Sequence, residues 1–420
     1  MLIYENGRTA KGDHFEFVVE DDHFAEVGEK IDKKKYPQST VIDLHGKLVT
    51  PPFAEPHIHL DYVYSRDPKK NLDSNGTLFS GIENWSKMKG LISTETLKAN
   101  ARRAIRQQIS YGVQHVRTHV DVTDPELKGF RAMQEIQKEV EPYIDLQLVA
   151  FPQEGMYAFK GGDACVEEAL KLGAEAVGAI PHCEHSRELG RKSVKRAFEL
   201  AEKYNRLIDI HCDEIDDPMS RFVEDMASEA IDRNCGPRVS ASHTCAMGSY
   251  APSYFFHLLD TLKKAQINFV VCPAENLHLQ GRGDTSSRRR GITRVNELMQ
   301  SGLNVCFGQD SILDPWYPLG SGNLMNILDI GLHACQLTEE EKIWNALDLI
   351  TVNGAKALGI PENEYGIAAG KPASFLVLNA GDAYEAICLR ACVLRSVRKG
   401  KELFVRNEES FQSCDSYLLG

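Results

Sequence analysis

Short apolar runs and longer amphipathic stretches alternate through the middle of the chain. The runs come in the order HIHL (57–60), HVRTHVDV (115–122), IDLQLVAF (144–151), EAVGAIPH (175–182), LIDIHCDE (207–214), RVSASHT (238–244), INFVVCP (267–273) and LNVCFGQD (303–310). Apolar runs this short read as buried strands. The stretches between them, such as STETLKANARRAIRQQISYG and RKSVKRAFELAEKYN, repeat apolar positions at helical spacing. Eight strands alternating with helices over about 250 residues predict a (β/α)8 barrel. The ends of the chain have another texture. FEFVVEDD, HFAEVGEK and STVIDLHGKLVTP near the N-terminus are strand-like pieces broken by Gly, Asp and Asn. After helices near 322–358, YGIAAGKPASFLVLNA and VLRSVRKGKELFV return to that texture. The expected fold is therefore α/β: a TIM-type (β/α)8 barrel over residues 51–360, with a small β-sandwich domain formed jointly by residues 1–50 and 361–420.

Composition narrows the function classes. At 420 residues, 42% hydrophobic and 26% charged, the chain is ordinary globular material, large enough for one big domain and a small one. A net charge of −12 argues against a nucleic-acid partner, since phosphate binding needs a basic face. The one basic stretch, SSRRRGITR at 286–294, is short and reads as solvated or locally paired. The 11 cysteines show no CxxC pair and several sit inside apolar runs, the pattern of reduced, buried thiols. No window approaches a membrane span and no export signal opens the chain. A cytoplasmic protein without membrane contact is the expectation.

The chemistry sits where the predicted strands end. In PPFAEPHIHLD (51–61), His57 and His59 are two residues apart, so in a strand they project to the same side. Neutral imidazole is the commonest ligand for a first-row metal. Polar residues also close the later runs: His119 and Asp121, Gln153, His182, His211 with Glu214, His243, and Asp310. Singly, each reads as a hydrogen-bonded structural residue, and for His119 and His182 that reading is kept. Collectively, ligand-capable groups at one end of a barrel, the end where barrel enzymes carry their active sites, point elsewhere. Three imidazoles and a carboxylate suit one divalent ion with a position left open for water.

The ordered set PPFAEPHIHLD, HVRTHVDV, AFPQEG, LIDIHCDEIDD, ASHTCAM, HLQGR, RRGITRV and DPWYPLG resembles the bacterial cytosine deaminase family of the amidohydrolase superfamily, across nearly the whole chain. The closing GIAAGKPASFLVL is similar to the superfamily's GxxAPGxxADLVVL element, with Ser374 where Asp is usual. The resemblance implies a mononuclear site holding one Zn(II) or Fe(II) through His57, His59, His211 and Asp310. No lysine follows strand 4, where binuclear members carry a bridging one. A divalent ion brings the pKa of water near 7; Asp310 would take its first proton. Glu214, in an HxxE arrangement with His211, resembles the family's proton shuttle to the ring nitrogen and to departing ammonia. His243 would orient the water and polarise the forming tetrahedral centre. Gln153 offers a donor and an acceptor to a ring with N–H beside C=O. Trp316 would form an aromatic wall, a residue equally explicable as core. The resemblance further implies a homo-oligomer, with a hexamer among the forms.

The pattern also departs from the family. Strand 8 reads Gly308, Gln309, Asp310, Ser311 where Gly-His-Asp-Asp is typical, and Cys183, His185 and Leu313 stand at aromatic positions. In the family these positions border the substrate pocket, so the resemblance implies that they bear on which ring is bound rather than on the mechanism. Cytosine is expected first; creatinine, 5-methylcytosine and isoguanine, all cyclic amidines, are the alternatives, and Ser311 leaves room for a substrate methyl. Two rivals are a metal-dependent lactam hydrolase on the same barrel, which would want the missing lysine, and a binding protein on a decayed barrel, which should have lost its ligands first. The zinc deaminases with PCxxC have another fold, and no PCxxC occurs here.

Overall fold

The computed structural model describes residues 1–66, 76–286 and 289–407. By contacts the chain divides into two compact units, Met1–Pro52 together with the chain from Asn363, and Phe53–Glu362.

The first unit is a mixed sheet. Strands β1 (Leu2–Arg8), β2 (His14–Glu20), β3 (His23–Gly28), β4 (Thr40–Asp43) and β5 (Leu48–Thr50) come from the N-terminal segment. The barrel strands follow in the chain: β6 (Phe53–Ile58), β7 (Val113–Asp121), β8 (Asp145–Phe151), β9 (Ala176–Ala179), β10 (Leu207–Cys212), β11 (Val239–His243), β12 (Asn268–Val271) and β13 (Val305–Phe307). The C-terminal segment then adds β14 (Phe375–Leu378), β15 (Val393–Arg398) and β16 (Lys401–Val405). The first unit's order is β16-β15-β14-β5-β1-β2-β3, with β4 also pairing β1. Antiparallel pairing of β14 with β5 joins the two ends of the chain. Tyr4, Phe17 and Phe24 meet Phe375 in one aromatic core, Tyr4 and Phe17 stacked at 4.9 Å and Phe375 edge-on to Phe17 at 5.0 Å. Neither end of the chain could bury these rings alone.

The second unit is the barrel. Its eight strands run parallel in the order β6 to β13, and each predicted apolar run lies on or overlaps one of them. A parallel bridge between Ile58 and Asp310 closes the circle. There Asp310 N donates to His57 O at 2.8 Å and His59 N donates to Asp310 O at 3.2 Å. The last strand is thereby tied to the first at the two histidines of the His-x-His themselves.

Alternate residues of each strand fill the barrel interior in layers. Near its base the layer is charged. Arg117 of β7 is fully buried, and its Nη1 donates to Asp209 Oδ2 at 2.8 Å and Ser240 Oγ at 3.2 Å. Nε donates to Gln147 Oε1 at 2.6 Å and Nη2 to Ala357 O at 2.9 Å. A buried guanidinium is tolerated when it is paired and hydrogen-bonded in this way. Two arginines of the basic stretch 286–294 are locally paired, Arg289 with Asp284 at 2.7 Å and Arg294 with Glu297 at 3.2 Å, while Ser287 and Arg288 lie outside the described residues. Among the described residues no helix is long and apolar enough to cross a membrane.

Candidate active site

The C-terminal ends of the barrel strands converge on a cluster of buried imidazoles. His57, His59, His211 and His243 are at most 3% exposed. His57, His59 and His211 each offer a ring nitrogen within 4.8 Å of the others, and His57, His243, Cys272 and Asp310 form an overlapping group of the same span. His59 Nε2 and His211 Nε2 are 3.0 Å apart, and Asp310 Oδ1 lies 3.4 Å from His59 Nε2 and 3.6 Å from His57 Nε2. Two chain positions are bent to achieve this. His243 and Asp310 have φ of 70° and 68°, a left-handed conformation that a non-glycine residue adopts at a cost and that recurs at functional sites.

The donor set fits a divalent ion. Burial, and then the charge each ring would place on the others, holds His57, His59 and His211 well below the usual histidine range, and burial brings His243 down to about 3. The rings are therefore neutral and present lone pairs. His57 Nε2 and His243 Nε2 are buried without a hydrogen-bond partner. Carboxyls crowd the same place. Burial raises Glu214 to about 8 and Asp314 to about 6. Asp310 and Glu275 go well above the carboxylate range through burial and then through neighbouring carboxyls. Unpaired imidazole nitrogens beside a surplus of buried acid is what a cation would neutralise.

Beneath the cluster one imidazole is oriented by a relay. Ser242 Oγ donates to Asp209 Oδ1 at 2.6 Å, which leaves the hydroxyl oxygen to accept from His57 Nδ1 at 3.0 Å. His57 thus carries its proton on Nδ1 and turns the Nε2 lone pair toward Asp310. Asp209 is held from below by Arg117. His119 Nε2 lies 3.3 Å from Asp209 Oδ1. His182, expected to be hydrogen-bonded, is instead buried with neither ring nitrogen partnered, and burial lowers it to about 3.

One pocket above the cluster is lined by His59, Gln153, His211, Glu214, Asp310, Ser311 and Trp316, together with Tyr62, Leu78, Glu275 and Leu279. Asn276 Nδ2 donates to Glu214 Oε1 at 3.2 Å, and its Oδ1 lies 3.4 Å from His243 Nδ1. This amide ties the two side chains into one unit. Tyr62 stacks on His59 at 4.6 Å and packs at a tilt against Trp316 at 4.6 Å, and its hydroxyl lies 3.4 Å from Gln153 Oε1. Trp316 rests against the helix Leu78–Met88 at Gly81, where a Cβ would stand 2.3 Å from the indole Cδ1. Asp121 is drawn off elsewhere: Oδ2 accepts from Trp85 Nε1 at 2.8 Å and Lys89 Nζ at 3.0 Å, anchoring that helix.

The site, with the layer beneath it, contains residues that the sequence reading passed over. Asp209 and Ser242 could have been found, because each occupies an inward position of a strand, Asp209 two residues before His211. Tyr62, Glu275 and Asn276 lie on segments after strand ends, where no periodicity marks the side chains that face inward.

The family model for the amidohydrolase family matches residues 86–388. The chain belongs to the amidohydrolase family. Among solved structures, 5-methylcytosine deaminase from Klebsiella pneumoniae, liganded with phosphonocytosine, is 44% identical at a TM-score of 0.93, covering 98% of this chain and 100% of that one. N-isopropylammelide isopropylaminohydrolase from Burkholderia multivorans ATCC 17616 shares the fold at a TM-score of 0.83 and 24% identity, covering 96% of this chain and 97% of that one. N-isopropylammelide isopropyl amidohydrolase of Pseudomonas sp. (strain ADP) is 27% identical over 364 residues, 85% of this chain and 87% of its own length. The protein is a hydrolase of the deaminase type whose buried imidazole and carboxyl cluster is consistent with a divalent metal site.

Proposed function

We propose that the enzyme hydrolyses 5-methylcytosine to thymine and ammonia, ahead of cytosine. The similarity along essentially the whole chain to the Klebsiella pneumoniae 5-methylcytosine deaminase carries this order. Ser311 supports it. The small side chain follows Asp310 directly and borders the pocket, so it leaves room for a ring methyl.

His57, His59, His211 and Asp310 would hold one zinc or ferrous ion. Bound there, it would make water a nucleophile near neutral pH and stabilise charge on the attacked carbon's oxygen. The protein's own groups do the rest. Asp310 accepts the water proton. Glu214, held by Asn276, protonates ring N3 and later delivers a proton to the departing amine, so that water and the amidine become carbonyl and ammonia. His243 faces the tetrahedral centre. Gln153 pairs with the C2 carbonyl and N1–H edge, and the Tyr62–Trp316 pair flanks the ring.

Ammonia release and product identity, measured on cytosine, 5-methylcytosine, isoguanine, creatinine and a simple lactam alongside metal analysis, test this proposal. 5-Methylcytosine should give the highest kcat/KM with roughly one ion per chain. Creatinine alone reacting would overturn the substrate and keep the mechanism; the lactam alone reacting would overturn both. A homo-oligomeric state and a cytoplasmic location belong to the same proposal, checked by solution mass and by fractionation of the source cells.

A further inference from the structure

Glu275 stands in the first turn of the helix Pro273–Leu279, directly after β12. It is 2% exposed and borders the pocket beside Asp310, Ser311 and Glu214. Its Oε2 is buried with no hydrogen-bond partner among the described residues.

Two other buried carboxyls of the barrel, Asp213 and Glu55, are treated differently. Asp213 accepts from Ser220 Oγ at 2.6 Å, Val223 N at 2.9 Å and Phe222 N at 3.0 Å. Glu55 accepts from the backbone of His57 at 3.0 Å and of Gln309 at 3.1 Å. Both are built into the protein by backbone donors. Leaving a buried carboxyl oxygen unmatched costs the full desolvation of that atom, and such groups call for a functional explanation. None of the steps above uses Glu275, since Asp310 and Glu214 already move the protons.

We infer that Glu275 is a specificity-determining residue whose open oxygen hydrogen-bonds a hydroxyl on the substituent at ring position 5, so that the enzyme takes cytosines bearing a 5-hydroxymethyl group at least as well as 5-methylcytosine. This rests on the reading that Ser311 borders that position; Glu275 and Ser311 line the same pocket. A methyl leaves the carboxyl unmatched, whereas a hydroxymethyl group satisfies it. A site that hydrogen-bonds a substrate hydroxyl discriminates against the analogue lacking it.

The test compares kcat/KM for 5-hydroxymethylcytosine, 5-methylcytosine and cytosine in the metal-loaded wild type and in Glu275→Met, with metal content and Tm measured on both proteins. The wild type should process the hydroxymethyl substrate no more slowly than the methyl one. Glu275→Met should keep its ion, melt no lower than wild type, and shift the ratio toward the methyl substrate at least about tenfold. A wild type that turns over 5-methylcytosine but rejects the hydroxymethyl compound overturns this inference and leaves the proposed function standing. The same holds if Glu275→Met lowers both substrates equally or lowers Tm, the result expected of a structural carboxyl. Turnover of the hydroxymethyl compound with cytosine and 5-methylcytosine inert supports the inference and overturns the substrate order proposed above. No turnover of any of the three overturns both.

Discussion

The floor of the pocket is made of side chains at the ends of strands; its wall is made of side chains on the segments that follow. On the floor, His57, His211 and His243 belong to β6, β10 and β11, and His59 and Asp310 sit at the bridge that closes the barrel. His57 is fixed from below through Ser242, Asp209 and Arg117. The wall is looser in origin: Trp316 and Ser311 follow β13, Gln153 follows β8, and Glu275 and Asn276 lie on the helix after β12. Under the proposed function a floor of strand ends and a wall of connecting segments would divide the labour, the floor setting the reaction type and the wall the choice of ring. Mutations should therefore separate cleanly, floor changes moving metal and kcat, wall changes moving preference among rings.

The strongest break of that division is at the floor itself. His57→Ala removes a neutral imidazole from the cluster and should abolish both bound ion and turnover, read by metal analysis and ammonia release on the same preparation. A variant that still turns over with its ion in place would show that the cluster is not the metal centre. Two tightly bound ions in the wild type would instead replace the mononuclear reading.

Glu214→Gln comes next. The amide keeps the shape and the hydrogen-bonding capacity toward Asn276 but cannot carry a proton. Single-turnover and steady-state rates should fall at least about 10²-fold, with metal content and Tm held. Near-normal kcat would assign the ring proton to another group, and Glu275 would be the first to examine.

Ser242→Ala probes how far the floor extends downward. Without the hydroxyl, His57 Nδ1–H loses its acceptor and the ring loses the bond that fixes its tautomer. Metal affinity should fall about 10- to 100-fold, the usual effect of losing such an outer partner, and Ser242→Thr should restore it. Chelator competition reads this without any activity assay. An unchanged affinity would confine the functional floor to the residues around the ion.

Legibility in the sequence follows the same division. Barrel strands were readable because their interior positions are apolar and short, and their polar endings broke that pattern at His57, His211, His243 and Asp310. The layer below was coded in the same alternation, in Asp209 and Ser242, yet a charged residue inside a strand is easily taken for an outward one. For the wall, the only sequence signal was resemblance, which marked Gln153, Ser311 and Trp316. Glu275 and Tyr62 carry no spacing signal, because loop backbone can aim any residue inward; Gly81 is needed by Trp316 only through a contact that is distant in the chain. The two chain ends were legible as strands, but their pairing through β5 and β14 depends on aromatic residues that are far apart in sequence and meet only in the fold.

The smallest predicted effect is also the one that tests the wall alone. Ser311→Asp would place a carboxylate beside Asp310, where the pocket already holds Glu275, Glu214 and Asp314. A buried carboxylate facing a ring methyl is left without a partner, at a cost of about 1–3 kcal/mol, and about 1.4 kcal/mol is tenfold in rate or binding. Hence the ratio of kcat/KM for 5-methylcytosine to that for cytosine should fall by about tenfold or more, chiefly through the methyl substrate. Metal content should stay near wild type, because Asp310 N still donates to His57 O and the closing bridge is a backbone contact that the side chain at 311 does not enter. If instead both substrates fall together and the ion is lost, position 311 belongs to the floor, and the separation of reaction from recognition in this pocket is wrong at the residue where the two regions meet.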